Sequence, residues 1–272
     1  MPMSHSTSND SSDWDHSSRD EFYNYYAQES LSEETYERSV ALRDTLLRFI
    51  DRDRAERPLD VADIGCAAGA QCQRWAELGH RVRGLDINEP LLELARRRAT
   101  EAGLSIEFEV GTATQLPWPS SSVDVCLAPE LLEHVADWPK CLDEFSRVLR
   151  PGGILYISTS NRLCPVQEEF NLPLYSWYPA RLKHHYERLA MSTRPDIANY
   201  ATYPAVNWFT FYSLSRAMAR RSFDAHDRFD LMDLRERGTI ARAVVRLIRA
   251  VPPLRWLGHV ATPYTVVVAI RR

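Results

Sequence analysis

From Leu59 onward, short apolar runs alternate with stretches whose apolar residues recur every three or four positions. Residues 59–64, 81–87, 105–110, 123–127 and 153–158 read as strands, and residues 70–78, 90–102 and 139–149 as helices between them. This βαβ rhythm predicts an α/β fold with a mostly parallel sheet covered on both faces. Upstream, Val40, Leu42, Leu46, Leu47 and Ile50 predict a helix over residues 33–52, preceded by an aromatic, helical segment holding Phe22, Tyr23, Tyr25 and Tyr26. Residues 1–20 are rich in Ser and Asp, bury too little apolar surface to offset ordering entropy, and are expected to be a disordered tail.

The rhythm breaks over residues 161–223, which are crowded with Pro, Tyr and Trp, including Trp177, Pro179 and Trp208. Such aromatic content argues against a flexible linker and predicts an inserted lid or acceptor-binding region. Order resumes with a strand expected near residues 228–234, a helix over 239–250 and a final strand over 264–270. One domain over residues 21–272, carrying that insertion, is the simplest organisation for a chain of 272 residues.

Composition narrows the partners. At 44% hydrophobic and 26% charged the chain is globular, and a formal net charge of −4 gives no general attraction to phosphates, which argues against nucleic acid. Cys66, Cys72, Cys126, Cys141 and Cys164 are scattered, without a Cys-x-x-Cys pair, and read as reduced thiols. No apolar secretory core opens the chain and no apolar run is long enough to cross a bilayer, so a cytoplasmic location is expected.

The first strand runs into Asp63-Ile64-Gly65-Cys66-Ala67-Ala68-Gly69, a small-residue turn ahead of a helix. Glycines there let backbone amides approach a ligand. Ala67 occupies the middle position, and Ala70 stands where a dinucleotide fingerprint places its third glycine, which weakens a dinucleotide reading. The Asp63 carboxylate would repel a pyrophosphate but attract the positive amino and sulfonium groups of S-adenosylmethionine. Asp86 ends the second strand, where a carboxylate can accept hydrogen bonds from both ribose hydroxyls of either ligand.

Further segments follow in order: Gly111-Thr112-Ala113-Thr114-Gln115-Leu116-Pro117, Val123-Asp124-Val125, Leu132-Glu133-His134-Val135 and Leu149-Arg150-Pro151-Gly152-Gly153. Together with the turn they resemble the class I S-adenosylmethionine-dependent methyltransferase family over residues 59–160, and within it the type 11 and ubiquinone-type O-methyltransferases. The resemblance implies a Rossmann-like three-layer sandwich with a seven-stranded, mostly parallel sheet whose seventh strand is antiparallel. It also implies S-adenosyl-L-methionine across the carboxyl ends of the first strands. Asp63, Gly65, Ala67 and Gly69 would surround the methionine half, Asp86 and Ile87 the ribose and adenine, Thr112 and Ala113 the adenine, and Pro129 would lie below the methyl group. Ala67 replaces the family's usual second glycine, and Thr112 stands where many members carry an Asp on the adenine amino group.

Methyl transfer is an in-line displacement, so an enzyme aligns the acceptor and relieves it of a proton. His134 is the candidate general base. Glu130, Glu133 and His134 are spaced to share one side of a helical turn, which makes them a candidate site for a divalent metal. The ubiquinone-type resemblance implies that such a cluster activates a phenolic hydroxyl; the plainer reading is a cap or a fold-supporting role. His184 and His185, near Tyr175, Trp177 and Tyr178, are candidates for a second base, against a solvated helix face shared with Lys183 and Glu187. Asn161-Arg162-Leu163, followed by Glu168-Glu169-Phe170 and Leu172-Pro173, resembles a subgroup of bacterial enzymes that methylate glycans or other small molecules, which favours an oxygen acceptor.

In the C-terminal helix Ile240, Val244, Leu247, Ile248 and Val251 cluster on one face, with Arg242, Arg246 and Arg249 opposite. That pattern suits a surface helix docked on the sheet, or peripheral contact with the inner, anionic face of a membrane, where a lipid-linked acceptor would reside. The expected function is transfer of a methyl group to a hydroxyl of a small molecule, sugar or lipid-linked glycan. The alternatives are a quinone or polyketide phenol acceptor, and a non-catalytic binding protein that keeps the fold.

Overall fold

A computed structural model of the chain describes residues 20–51, 54, 56–167, 169–198, 205, 207–235 and 237–272. The expected tail, apart from Asp20, and Glu168 lie outside the described residues. Seven strands form one sheet: β1 Asp60–Ile64, β2 Arg81–Asp86, β3 Ile106–Val110, β4 Val123–Pro129, β5 Leu149–Ser160, β6 Phe223–Asp227 and β7 Tyr264–Arg271. Their order across the sheet is β3-β2-β1-β4-β5-β7-β6. The first five pair in parallel, whereas β7 runs antiparallel to both β5 and β6. The strand order reverses between β1 and β4, which opens a crevice at their carboxyl ends where open α/β sheets bind ligands.

β4 is buried along almost its whole length, as its central place and continuous apolar run require. On one face lie α2 (Glu33–Leu47), α3 (Ala70–Ala76) and α4 (Glu89–Glu101), burying Leu46, Trp75, Leu92 and Ala95 against Val61, Val125 and Leu127. On the other, α5 (Trp138–Val148) and α7 (Phe211–Ala219) bury Leu142, Phe145, Leu214 and Met218 against Ile64, Cys126 and Ile157. The helix α6 (Ala180–Met191) belongs to a separate cluster of Phe170, Tyr175, Ala190 and Ile197 within the expected insertion; α7, also within it, packs on the main core. All five cysteines are free and buried.

One buried charge clasps the amino ends of the central strands. Asp124 accepts hydrogen bonds from the Asp60 amide and from the Arg57 guanidinium, both at 3.0 Å, and pairs with Arg150 at 2.9 Å. Burial raises its pKa, but these donors outweigh that and hold the carboxyl below its ordinary value. Two of the sequence motifs, those around Asp124 and Arg150, therefore bond to each other at the end of the sheet away from the crevice.

The sixth strand falls earlier than residues 228–234, because Asp227 caps a short helix, α8 (Arg228–Leu231), by accepting from the amides of Phe229 and Asp230. The predicted helix α9 (Thr239–Ala250) is followed by an unpredicted one, α10 (Pro252–Val260), opened by Pro252 and Pro253. Asp227, fully buried, also accepts from Arg255 at 2.6 Å and lies 2.9 Å from His259 Nε2, which fastens α10 to β6. Burial raises the Asp227 pKa, but the His259 and Arg255 contacts prevail and bring it to about 2. Because the folded value is depressed, the stability it contributes is present above 3.8 and is lost as pH falls towards about 2. Urea unfolding across that window should show the loss in the wild type. Asp227→Asn should be destabilised by about 3 kcal/mol near neutral pH and should lack that acid component.

Candidate functional site

The turn after β1 is shaped by backbone hydrogen bonds. The amides of Gly65 and Cys66 donate to Leu85 O on β2 at 2.7 and 3.1 Å, and that of Gly69 to Cys66 O at 2.8 Å. Gly65 and Gly69 take φ values of +78° and +76°, and a Cβ on Gly69 would come within 3.0 Å of both Ala95 and Phe108. Ala67 also sits in the left-handed region, at φ 45°, which accounts for the glycine usual at this place in the family. Its amide donates to Asp86 Oδ2 at 2.8 Å, a charge-assisted bond that offsets the strain.

Two carboxylates stand at this turn. Asp86 closes β2 and accepts from Ala67 with one oxygen and from the Asn88 amide, at 2.8 Å, with the other. Each carboxylate oxygen keeps a further lone pair for a ligand hydroxyl. Asp63 is 1% exposed; its Oδ2 accepts from Cys72 Sγ at 3.3 Å, and its Oδ1 has no partner among the described residues. Burial drives its pKa up, Cys72 lowers it, and the Asp86 charge raises it further, for a value of about 7. Burial likewise raises Asp86, against the pull of the amides that bond it. An orphaned buried carboxylate oxygen beside a second carboxylate suits a cationic ligand, and it fits the amino and sulfonium charges of S-adenosylmethionine.

The adenine side adjoins these groups. The Gly111 amide donates to Asp86 O at 3.0 Å, which brings the segment after β3 to the end of β2. Ile87 is 47% exposed, an uncovered apolar side chain next to Asp86 on which a flat ring can pack. Ala113 is buried in the core, whereas the Thr112 hydroxyl lies on the surface, 3.0 Å from that of Thr114. The helix α1 (Asp20–Glu29) covers the turn from outside: Tyr23, Tyr26 and Ala27 pack on Ala68, Leu91 and Leu94, and Arg98 bonds Ala27 O and Ser30 Oγ at 2.8 and 2.7 Å. The Tyr26 phenol is raised above its ordinary pKa by burial and by the negative charges of Glu130, Glu169 and Asp86. Sequence reasoning passed over Cys72, which carries no local signal, and Tyr26, which its aromatic run marked without assigning a role.

After β4 the expected helical turn does not form. Pro129 is the last residue of β4, beside Ser158, and Glu130 takes φ 50°, so the chain enters a series of turns up to α5. Glu130 points to solvent 3.8 Å from Arg38, while Glu133 is 1% exposed. Burial, reinforced by Glu169 and Glu130, raises the Glu133 pKa to about 8 despite its own amide and Thr159, so it is protonated near neutral pH. This corrects the metal expectation for Glu130, Glu133 and His134: the three do not converge, and the described residues hold no group of three His, Cys, Asp or Glu side chains placed for a metal ion. His134 follows Leu131, whose side chain lies 3.2 Å from where a Cβ on Gly65 would be, and burial lowers its pKa to about 4. The imidazole is thus neutral at physiological pH. His184 and His185 are exposed on α6, with His184 Nδ1 3.4 Å from Glu187, but the solvated face expected to include Lys183 and Glu187 does not form, since both are buried and Lys183 Nζ lies 3.9 Å from the centre of the Trp208 ring.

Below about pH 7 Asp63 carries a proton that a cationic ligand must displace. Affinity for S-adenosylmethionine should therefore weaken as pH drops from about 8 to about 6, by up to about tenfold per pH unit, with proton release visible in calorimetry. Asp63→Asn should flatten that profile. Asp86→Ala removes charge-assisted hydrogen bonds worth about 2 kcal/mol, and its dissociation constant for the same ligand should rise roughly thirty-fold or more.

Residues 62–157 match the family described as a methyltransferase domain. The ubiquinone biosynthesis O-methyltransferase of Chelativorans sp. is 34% identical over 169 residues, covering 58% of this chain and 64% of that protein. That of Brucella anthropi is 33% identical over 169 residues, covering 58% and 65%. The chain thus spans just under two thirds of the length of these curated relatives. In structure it is similar to an S-adenosylmethionine-dependent methyltransferase from Mesorhizobium loti, with a TM-score of 0.53 at 20% identity over 83% of this chain and 96% of that one. It is also similar to the PH0226 protein from Pyrococcus horikoshii, with a TM-score of 0.55 at 15% identity over 89% and 93%. Strand order, the glycine turn, the paired carboxylates and the matched segment agree: residues 62–157 carry a methyltransferase domain, set in a sheet with the fold of S-adenosylmethionine-dependent methyltransferases.

Proposed function

We propose that the protein transfers the methyl group of S-adenosylmethionine to a hydroxyl oxygen of a small molecule, sugar or lipid-linked glycan. The observation that carries the oxygen acceptor is His134, a half-buried, neutral imidazole in the turn that abuts Gly65. When bound, S-adenosylmethionine supplies a methyl group already activated on a sulfonium. The chain's own part is to hold and align. Asp63 and the turn from Gly65 to Gly69 receive the charged half, Asp86 and Ile87 the ribose and adenine, Ala113 and Thr112 border the adenine, and Pro129 lines the floor below the acceptor. His134 accepts the hydroxyl proton, as a hydrogen bond that strengthens while the oxygen attacks. The aromatic cluster of residues 161–223 serves as the acceptor-side lid, and its packing of Tyr175 against Phe170, 4.1 Å between ring centres, supports that role.

A second reading, a quinone-type or other phenolic acceptor, is favoured by the names of the relatives from Chelativorans and Brucella. It differs in acceptor, not in the groups that act. Peripheral contact with the inner face of a membrane belongs with either reading when the acceptor is lipid-linked.

Labelled methyl transfer to a host extract, with identification of the labelled product, tests the proposal. Cofactor binding without transfer to any acceptor would favour a non-catalytic protein that keeps the fold. His134→Ala should lower kcat by roughly a hundred-fold with little change in cofactor affinity. Because the neutral imidazole is the active form, the acid limb of kcat at saturating cofactor should fall near pH 4 rather than near neutrality. A limb near neutrality that survives in His134→Ala would remove it as the base.

A further inference from the structure

Residues 237–272 hold seven arginines and no Asp or Glu, in a chain whose formal net charge is −4. Four of the seven are engaged. Arg249 donates to Phe229 O and Met232 O, Arg255 bonds Asp227, Arg271 bonds Leu149 O and Arg272 pairs with Asp224. Arg237, Arg242 and Arg246 make no ion pair among the described residues. The same stretch is apolar on the outside. In α9, Ile240, Val244 and Leu247 recur four and three positions apart and are 81%, 49% and 53% exposed; only Val245 of that helix is buried. In α10, Trp256 and Leu257 are 47% and 53% exposed, while Arg255 and His259 turn inward to Asp227.

We propose that α9 and α10 form a docking surface for an anionic lipid bilayer. α9 carries an uncovered apolar stripe flanked by free arginines, and α10 adds exposed Leu257 and Trp256, whose amphipathic ring is of the type found at lipid headgroup depth. Neither helix is long and apolar enough to cross a membrane, so the contact lies in the plane of the interface. A second copy of this chain is a poorer occupant, because a two-fold pairing of this surface with itself would bring arginines against arginines without an acid to separate them. The surface is also tied to the site. Asn161, at the carboxyl end of β5, donates from Nδ2 to His259 O and Thr262 O, both at 2.7 Å, and Ser160 pairs with Tyr264, where β7 begins after α10. The bilayer would therefore sit against the edge of the sheet from which an acceptor enters. This deepens the reading of a lipid-linked acceptor and rests on it only for its consequence, since vesicle binding requires neither acceptor nor methyl transfer.

The test is co-sedimentation of the full chain with vesicles of equimolar phosphatidylglycerol and phosphatidylcholine, and with phosphatidylcholine alone. Binding should favour the anionic vesicles and weaken with salt. Replacing Arg242 and Arg246 together by Ala should lower that affinity roughly thirty-fold, and the pair Ile240→Ser with Leu247→Ser should lower it at least as much. Calorimetric S-adenosylmethionine binding by these variants should match the wild type, which shows that the fold is kept and separates this surface from the methyltransferase reading. Equal binding to both vesicles, no binding, or binding indifferent to both pairs of changes would overturn the proposal. So would a dimer in sedimentation velocity that Ile240→Ser with Leu247→Ser dissolves, which would assign the stripe to a second copy.

Discussion

The Asp86 carboxylate joins three parts of the crevice through its hydrogen bonds. It fixes the left-handed Ala67 of the turn after β1 and receives the Asn88 amide ahead of α4, both at 2.8 Å, while its own carbonyl receives Gly111 from the exit of β3. Bonds from amides to a charged oxygen are roughly twice as strong as neutral ones, enough to offset a left-handed alanine that costs roughly 1–2 kcal/mol. The geometry offered to a cofactor is therefore cooperative. A change at Asp86 acts on the ligand directly and also through the turn whose amide it holds.

The same arrangement explains what was legible in the sequence. The βα alternation from Leu59 to Ser160 follows from local periodicity, and each strand and helix expected there forms within a few residues of its place. The turn was legible because glycine and alanine at fixed positions report a backbone constraint. What failed was tertiary. Glu130, Glu133 and His134 have the spacing of a helical turn, but Pro129 pairs in the sheet and Glu130 leaves it with positive φ, so the spacing never becomes a shared face. Residues 228–234 contain enough apolar positions to suggest a strand, yet Asp227 satisfies two amides at once and starts a helix. Capping by a side chain competes with the sheet ladder, and periodicity is blind to that competition.

Motifs that travel together in the sequence do different work in space. Asp124 and Arg150 meet at the amino ends of β1, β4 and β5, far along the strands from Pro129 and Ser158, and serve the sheet itself. Asp63 and Asp86 lie at the opposite, carboxyl ends. The resemblance weighs both pairs alike, whereas burial and hydrogen bonding divide them: Asp124 is held below its ordinary pKa by cationic partners and an amide, and Asp63 is pushed above it by burial and by the Asp86 charge.

That contrast gives the site its direction. A buried carboxylate surrounded by arginine is complete, and its charge is already neutralised. Asp63 is buried to the same degree but, among the described residues, has only a thiol on one oxygen and no partner on the other, with Asp86 adding repulsion. Keeping such a group unpaired costs stability, since it must either take up a proton or remain charged without compensation. A ligand that brings positive charge relieves that cost, and an anionic ligand increases it. The preference for a sulfonium and ammonium compound over a pyrophosphate thus lies in a defect of the empty fold as much as in contacts made to the bound ligand. The left-handed Ala67 points the same way, because the bond that compensates its strain ends on the other carboxylate of the pair.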